Sequence, residues 1–232
     1  MPDRLDQFVS QRSALSRREA KRAVGAGRVT VDGVPCRDAA RKVSEADRVC
    51  LDDQPLAAAG PRYLMLHKPA GVVSATRDSD HPTVLDLLPP DLARGLHLVG
   101  RLDRDTTGLL LLTDDGQWSH RITSPRRDCP KTYRVDLAEP LTDDAARQLA
   151  EGLVLNGEDR PTRPAIVTQL APDRIELTIA EGRYHQVKRM LGAVGNRVTA
   201  LHRLRVGAIA LDPALAPGDF RALSQDEITS VA

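Results

Sequence analysis

The sequence is poor in aromatic residues, in cysteine and in long apolar runs. Only six of its 232 residues are Phe, Trp or Tyr, which excludes RNA recognition by a sheet that stacks several bases on its own aromatic rings. Three widely spaced cysteines without a CxxC pair exclude a disulfide framework and argue against a zinc or iron–sulfur site. No apolar run approaches the roughly 20 residues of a membrane helix, and the first residues lack the apolar core of a signal peptide. We therefore expect a cytoplasmic protein that does not enter a membrane.

Common catalytic signatures are also missing. The chain has no Walker A, no G-x-G-x-x-G and no G-x-S-x-G sequence, and its six histidines show no H-E-x-x-H spacing. These absences exclude P-loop NTPases, dinucleotide-binding enzymes, hydrolases with a G-x-S-x-G nucleophile and zinc hydrolases with an H-E-x-x-H motif.

Positive charge is concentrated in two segments, although the net charge is only +1. Residues 11–42 hold nine basic side chains against three acidic ones, and residues 181–205 hold six against one. Basic patches on a nearly neutral chain attract a polyanion to one face. Solvated helix faces are the alternative explanation, but two separate patches favour a polyanion.

The first residues have the pattern of two short helices. Leu5, Phe8 and Val9 recur at the i, i+3, i+4 spacing of one buried helix face. Ser16 and Glu19 have the spacing of a capping box, in which each side chain bonds the backbone N–H of the other residue. A second, basic helix is therefore predicted to follow Ser16.

A small sheet and a linker are predicted next. Short β-branched runs flank the pair Asp32-Gly33, which is typical of a two-residue hairpin turn. A further strand is predicted at residues 48–51. Residues 55–62 lose both periodicity and charge, as linkers do. Two domains are therefore predicted, at residues 1–58 and 59–232.

The second domain is predicted to be α+β. Apolar runs bounded by turn residues predict strands at residues 63–67, 96–99, 109–113, 132–137, 166–170 and 175–179. A helix is predicted from Tyr184 to Gly195, on four apolar positions at helical spacing: Val187, Met190, Leu191 and Val194. Because strands and helices do not alternate as in βαβ units, we expect a mixed, largely antiparallel sheet with flanking helices.

A polar loop at residues 100–108 lies between two apolar strands and holds the densest set of reactive side chains. Asp103 and Asp105 would share one face of an extended chain. Two carboxylates suggest a magnesium site, but hard metals need more oxygen ligands, and Arg101 and Arg104 would repel a cation. The alternative is that the aspartates cap the loop or pair with these arginines.

A second polar segment, residues 181–191, is basic. Tyr184 and Lys188 are four residues apart, so a helix would place them on one polar face that presents a cation to a carboxylate or to phosphates. A basic surface helix is the alternative. Tyr133, like Tyr63 and Tyr184, borders a polar motif, where a single ring can stack on one flipped base. A role as an ordinary strand residue is the alternative for Tyr133.

Several motifs together resemble the RsuA/RluB/E/F family of pseudouridine synthases. They are Leu-x-Leu-x-Lys-Pro-x-Gly at 64–71, Gly-Arg-Leu-Asp-x-Asp-Thr-Thr-Gly-Leu at 100–109, Thr-Asp-Asp-Gly at 113–116, Lys-Thr-Tyr at 131–133, Glu-Gly-Arg-x-His-Gln-Val-Lys-Arg-Met at 181–190 and Leu-x-Arg-x-x-x-Gly at 201–207. The N-terminal module is similar to the S4 RNA-binding domain, on Leu5-Asp6, Ser16-Arg17 and residues 27–33. The resemblance implies a small S4-type α/β module followed by a pseudouridine-synthase catalytic domain.

The resemblance implies that the catalytic carboxylate is Asp103 and not Asp105. It implies that Tyr133 stacks on the target uracil and that Lys188 pairs with the aspartate, where many relatives carry arginine. Lysine keeps the charge but lacks the bidentate fork of arginine. Leu191 falls where the family packs an apolar side chain in the active site. The other candidates for the shell of the active site are Arg101, Leu102, Arg183 and His185.

Basic side chains of both domains are expected to contact RNA phosphates, which position the RNA without reading its sequence. The candidates are Arg17, Arg18, Lys21, Arg22, Arg28, Lys68, Arg189 and Arg203. Residues 114–125 resemble the small-subunit branch of the family, which modifies uridine 516 of 16S rRNA. The expected partner is therefore 16S rRNA in an assembling small subunit, and we expect the protein to act as a monomer.

The chemistry that the resemblance implies needs no cofactor and no metal. The C1′–N1 bond of uridine breaks, the uracil turns and C5 bonds to C1′, with no redox change and no atom gained or lost. Asp103 either attacks C1′ or removes the C2′ proton, and the sequence leaves both routes open. The alternatives to a 16S rRNA enzyme are a 23S rRNA synthase of the same family, a non-catalytic rRNA-binding assembly factor and a metal-dependent phosphodiesterase.

Overall fold

The amphipathic pattern at the start of the chain produces a small α/β unit. The computed structural model describes residues 3–13, 15–44, 46–56, 60–124 and 127–231, and the chain divides into two compact units, Met1–Pro61 and Arg62–Ala232. The elements of the first unit are β1 (Asp3–Arg4), α1 (Leu5–Arg12), α2 (Arg17–Gly25), β2 (Val29–Val31), β3 (Val34–Pro35), β4 (Lys42–Val43), β5 (Val49–Leu51) and β6 (Gln54–Pro55). Residues 57–59 of the predicted linker lie outside the described residues.

Capping and packing explain the two helices of the first unit, and both predictions are confirmed. The Ser16 hydroxyl accepts from the Glu19 backbone N–H, and the Glu19 carboxylate accepts from the Ser16 backbone N–H at 2.8 Å. Leu5, Phe8 and Val9 of α1 are buried against α2 and the small sheet. The capping box therefore begins α2 where the sequence predicted it.

The sheet of the first unit has the strand order β3-β2-β5-β6 with antiparallel neighbours. Asp32 and Gly33 form the β2–β3 turn with positive φ angles of 54° and 80°, a conformation that Asp tolerates and Gly adopts freely. The separate pairing of β1 with β4 was not predicted, because two-residue strands carry too little periodicity to be recognised.

The second unit is built on one large sheet with helices around it. Its strands are β7 (Tyr63–Lys68), β8 (His97–Val99), β9 (Thr107–Thr113), β10 (Lys131–Leu137), β11 (Ile166–Ala171), β12 (Arg174–Ile179), β13 (Val198–Val206), β14 (Ile209–Ala210) and β15 (Phe220–Ala222). Its helices are a 3₁₀ turn (Val84–Leu87), α3 (Pro90–Ala93), α4 (Gly116–Thr123), α5 (Asp143–Glu151), α6 (Gln186–Ala193) and α7 (Gln225–Thr229). No helix in the described part of the chain is long and apolar enough to cross a membrane.

The order of the large sheet is β11-β12-β10-β13-β9-β7-β15, with β14 beside β13 and β8 beside β9. β13 and β9 are parallel, and the other pairs are antiparallel. The predicted mixed, largely antiparallel sheet is therefore confirmed. The parallel pair brings β13 beside the polar loop that leads into β9.

β9 is covered on both faces, which explains its unbroken apolar run. Leu109 and Leu111 pack in one cluster with Trp118 of α4. Leu110 and Leu112 pack on the opposite face in a second cluster. A strand buried on both faces needs apolar residues at every position, so this strand supports the adjacent loop rigidly.

Two helices differ from what the sequence predicted. α4 was not predicted; the Asp115 carboxylate accepts from the backbone N–H groups of Gln117 and Trp118 and begins this helix. The helix predicted from Tyr184 begins at Gln186, because His185 has a left-handed φ of 47°. Tyr184 is therefore not on the helix face of Lys188. Pro125, at the end of the predicted branch motif, lies outside the described residues.

Candidate active site

A cavity of about 600 Å³ lies in the second unit, on the sheet face that carries Tyr133. Its lining comes from the loop between β8 and β9, from β10 and β13, and from residues 179–188. The predicted site residues in this lining are Arg101, Leu102, Asp103, Tyr133, Arg183, His185, Lys188 and Arg203. The fold thus brings together two polar segments that are 83 residues apart at their contact.

Asp103 contacts two basic side chains. Its carboxylate is 3.1 Å from Lys188 Nζ and 3.3 Å from His185 Nε2. The side chain is 27% exposed, so it faces the cavity from a partly desolvated position.

Lys188 is shared between two carboxylates, since its Nζ also donates to Asp105 Oδ1 at 2.7 Å. Burial disfavours the ammonium, but its bonds to Asp105 and Asp103 outweigh this effect and raise the pKa of Lys188. The bond from Lys188 lowers the pKa of Asp105. The Lys188 ammonium lies between the two carboxylates, where a magnesium ion would have to bind. Within the described residues, neither aspartate forms an ion pair with Arg101 or Arg104.

α6 orients Lys188 through its buried neighbours. Val187 and Met190 lie in the core of the second unit, so the helix face that carries Lys188 is directed at the polar loop. His185 immediately precedes the helix, and its ring stacks on that of Tyr184 with 3.8 Å between ring centroids. Tyr184 itself is 70% exposed at the edge of the cavity.

Tyr133 is buried and lines the cavity from the middle of β10. Lys131, Tyr133 and Val135 alternate with residues that point to the other sheet face. In the antiparallel pairing with β13, Tyr133 is directly opposite Arg203. The ring and the guanidinium group are therefore neighbours on the same face.

Lys68 does not contact solvent, so its prediction as an RNA contact is wrong. Its ammonium is fully buried and donates to the carbonyl oxygens of Pro69, Arg104 and Thr106 at 3.0, 3.3 and 2.8 Å. Burial lowers the pKa of Lys68 to about 8. Two of these carbonyls belong to the loop that carries Asp103, so Lys68 holds that loop in place.

Ser74 is a lining residue that the sequence analysis missed. Its hydroxyl donates to the Leu102 carbonyl at 2.7 Å and accepts from the Leu102 backbone N–H at 3.0 Å. These two hydrogen bonds hold the backbone of Leu102, the residue immediately before Asp103. The only sequence signal was the position of Ser74 three residues after Gly71 of the first motif.

Arg203 is also buried, but it lines the cavity, so its predicted contact with RNA stays a prediction. The side chain donates from Nε to the Leu109 carbonyl at 2.8 Å and from Nη1 to the Arg101 carbonyl at 3.5 Å. Gly108 permits the close approach of β13, because a Cβ there would lie 2.3 Å from the Arg203 carbonyl oxygen. The guanidinium group consequently belongs to the floor of the cavity.

Leu191 does not line the cavity, which corrects its assignment to the active-site shell. The side chain is fully buried in the main core cluster of the second unit. Val187, one turn earlier on α6, and Leu201 of β13 provide apolar lining instead. The helical register decides this difference, since Leu191 points into the core beneath the cavity.

Arg183 and Arg189 both form ion pairs with Glu158, which the sequence analysis did not identify. Arg183 also bonds Glu181 at 3.2 Å. Hydrogen bonds from Arg183 and Arg189 lower the pKa of Glu158. These cations therefore stabilise residues 158–189 at the edge of the cavity in addition to any contact with RNA.

The predicted RNA contacts of the first unit lie on an accessible surface. The exposed cations of α2 are Arg17, Arg18, Lys21 and Arg22. Arg28 is exposed as well and pairs with Asp52. The helix thus presents several exposed cations, and the Glu19 carboxylate of the same helix accepts from the Ser16 backbone N–H.

Comparison with known proteins agrees with this arrangement. Residues 62–193 match the family described as RNA pseudouridylate synthase, and residues 3–49 match the S4 domain. Ribosomal small subunit pseudouridine synthase A of Escherichia coli (strain K12) is 55% identical over 98% of this chain and 99% of its own length. The protein of the same name from Vibrio cholerae serotype O1 is 47% identical over 98% and 99%. A crystal structure of a pseudouridylate synthase covers 99% of both chains at 44% identity and a TM-score of 0.73.

Proposed function

This chain belongs to the RNA pseudouridylate synthase family, and from this premise we propose that it converts uridine 516 of 16S rRNA, in the assembling small subunit, to pseudouridine. The observation that carries the proposal is a partly desolvated carboxylate, Asp103, held by Lys188 and His185 in a cavity that also contains the Tyr133 ring. Similarity to small-subunit synthases over nearly the whole chain supports the choice of 16S rRNA.

In this proposal Asp103 is the catalytic residue. Its carboxylate either attacks C1′ or removes the C2′ proton, and both routes require the ionised form. Lys188 Nζ lies 3.1 Å from this carboxylate. The Tyr133 ring stacks on the target uracil, and its hydroxyl relays the proton that leaves C5. The described lining holds two carboxylates: Asp103, which lies beside Lys188, and Glu181, which is bonded to Arg183 and Gln186. Because Glu181 is engaged in these bonds, it is not free to activate water as the second carboxylate of a glycosidase does.

The substrate contacts are divided between the proposed domains, residues 1–58 and 59–232. The cations of α2 bind rRNA phosphates and help to offset the cost of a few kcal/mol for extruding the target base. In this proposal the enzyme acts as a monomer. The proposed substrate, rRNA, lies in the cytoplasm, and the three cysteines are free. Both points support a cytoplasmic enzyme.

The test follows tritium released from C5 of uridine in transcribed 16S rRNA and, separately, 23S rRNA, each with and without a chelator. Release from 16S rRNA by the wild type but not by Asp103→Asn is the expected result. Asp105→Asn is the matched control, because it removes the other carboxylate that contacts Lys188 and should retain turnover. Tritium release from 23S rRNA alone would contradict the proposed substrate. Loss of tritium release when the chelator is added would contradict a metal-free reaction. If neither transcript reacts, a small-subunit assembly particle is tested next, and no release there would reject the proposal.

A further inference from the structure

Two cations that line the cavity, Lys131 and Arg203, are bonded only to backbone carbonyls. Arg203 is buried, and Lys131 is partly buried with its Nζ 2.6 Å from the Cys129 carbonyl oxygen. Among the described residues neither forms an ion pair, and the Asp103 carboxylate is already paired with Lys188. Buried charge is costly without a counter-charge. This arrangement therefore suits a ligand that becomes negatively charged.

Arg203 is the better placed of these two cations. Two of its three guanidinium nitrogens bond backbone carbonyls, which fixes the plane of the group. The third, Nη2, is buried without a partner among the described residues. Arg203 and its cross-strand neighbour Tyr133 both line the cavity. A base stacked on Tyr133 would consequently have a fixed donor beside it.

The reaction under the proposed function creates negative charge at that place. When C1′–N1 breaks, its electron pair leaves with N1. If Asp103 attacks C1′, a C1′–O bond forms; if it removes the C2′ proton, the C2′–H pair becomes the C1′=C2′ bond. Either route transfers one negative charge from Asp103 to uracil, where N1, O2 and O4 share it. Formation of C5–C1′ then returns the charge to the carboxylate, and the C5 proton ends on N1.

We propose that Arg203 donates from Nη2 to a carbonyl oxygen of the departing uracil and stabilises the anion between the breaking of C1′–N1 and the formation of C1′–C5. Lys131, two residues from Tyr133 on the same strand face, adds a second positive charge. The bond is stronger to the anion than to the neutral base, so it lowers the barrier and not only the dissociation constant. The inference rests on the proposed function.

The test is a leaving-group comparison in single turnovers. The 16S rRNA transcript contains uridine or 5-fluorouridine, whose fluorine stabilises the uracil anion, and loss of the target nucleoside is measured after digestion. Arg203→Gln should slow uridine loss about 10²–10³-fold with little change in RNA affinity. The slowing should be at least about tenfold smaller with 5-fluorouridine, because that anion needs less stabilisation. The matched control is Arg205→Gln on the same strand, an exposed arginine whose removal should change the rate less than about twofold.

The outcomes separate this inference from the proposed function. The inference would be overturned if Arg203→Gln slowed the reaction of uridine and 5-fluorouridine equally, or if weaker RNA binding explained the whole effect. In both cases turnover by the wild type would still support the proposed function. Absence of wild-type turnover on the transcript and on the small-subunit assembly particle would reject the function itself. If thermal unfolding shows that Arg203→Gln does not fold, Arg203→Lys carries the test, because it keeps the charge but loses the fixed fork. It should show the same selective slowing of uridine, by a smaller factor.

Discussion

Alkaline pH is expected to increase the contribution of Lys68 to the stability of the second unit. The pKa of this buried ammonium is about 8, lowered by burial from 10.5. Between these two pH values the unfolded chain holds a proton that the folded chain has released. The unfolding free energy contributed by Lys68 therefore rises with pH through this window and is constant below it.

The expected size follows from the pKa difference. A pKa unit is worth about 1.4 kcal/mol, so the change from pH 8 to 10.5 amounts to about 3 kcal/mol. Lys68 has no exposed surface, so solvent screening does not reduce this figure. Burial lowers the pKa, and the negative charges of Asp105 and Asp103 oppose this effect.

Trp118 provides the assay, since it is the single tryptophan of the chain and is buried in the second unit. Its fluorescence during urea unfolding is followed for wild type and Lys68→Met. Tyr63, whose ring is 5.0 Å from that of Trp118, keeps its proton in this range because burial raises its pKa to about 12. The unfolding free energy of wild type relative to the variant should rise by about 3 kcal/mol between pH 8 and 10.5. If the difference in unfolding free energy between wild type and Lys68→Met does not change with pH, the lowered pKa of a buried Lys68 ammonium is refuted.

Three further changes test the site and the division into domains. Ser74→Ala should lower kcat about tenfold or more with little change in KM, because the hydroxyl bonds the backbone N–H and carbonyl of Leu102 and so positions Asp103. A raised KM with unchanged kcat would contradict this role. Tyr133→Phe should slow tritium release if its hydroxyl relays the C5 proton, and unchanged turnover would rule out the relay. Deletion of residues 1–58 should weaken rRNA binding but keep the Trp118 unfolding transition, whose loss would show that the second unit does not fold alone.

Local sequence patterns predicted about half of the helices and strands, but not the nine-residue strand β13. The Ser16–Glu19 capping box, the Asp32-Gly33 turn and the hairpin of β11 and β12 each depend on residues close in the chain. Elements such as α5 were missed because their apolar positions are few and their ends are marked by single residues. Short strands that pair with distant partners, such as β4, carry no local signal.

The roles of individual cations were harder to predict. Lysine and arginine are mostly exposed in proteins, so Lys68 and Arg203 were assigned to RNA phosphates. The structure buries both, because backbone carbonyls of the loop and of β9 satisfy their donors. Leu191 was misplaced for a similar reason, since the direction of a side chain on α6 depends on which face meets the sheet.

The sequence alone determined the local elements, the α+β class and the set of polar side chains available for chemistry, since these follow from spacing and residue type. It identified Asp103, Tyr133 and Lys188 through the resemblance but left their mutual geometry undefined. Only the tertiary structure decided that Lys188 lies between two aspartates and that Arg203 lies beside Tyr133. These contacts depend on the parallel pairing of β13 with β9 and on the packing of α6. Residues far apart in the chain meet there, and local patterns carry no information about such meetings.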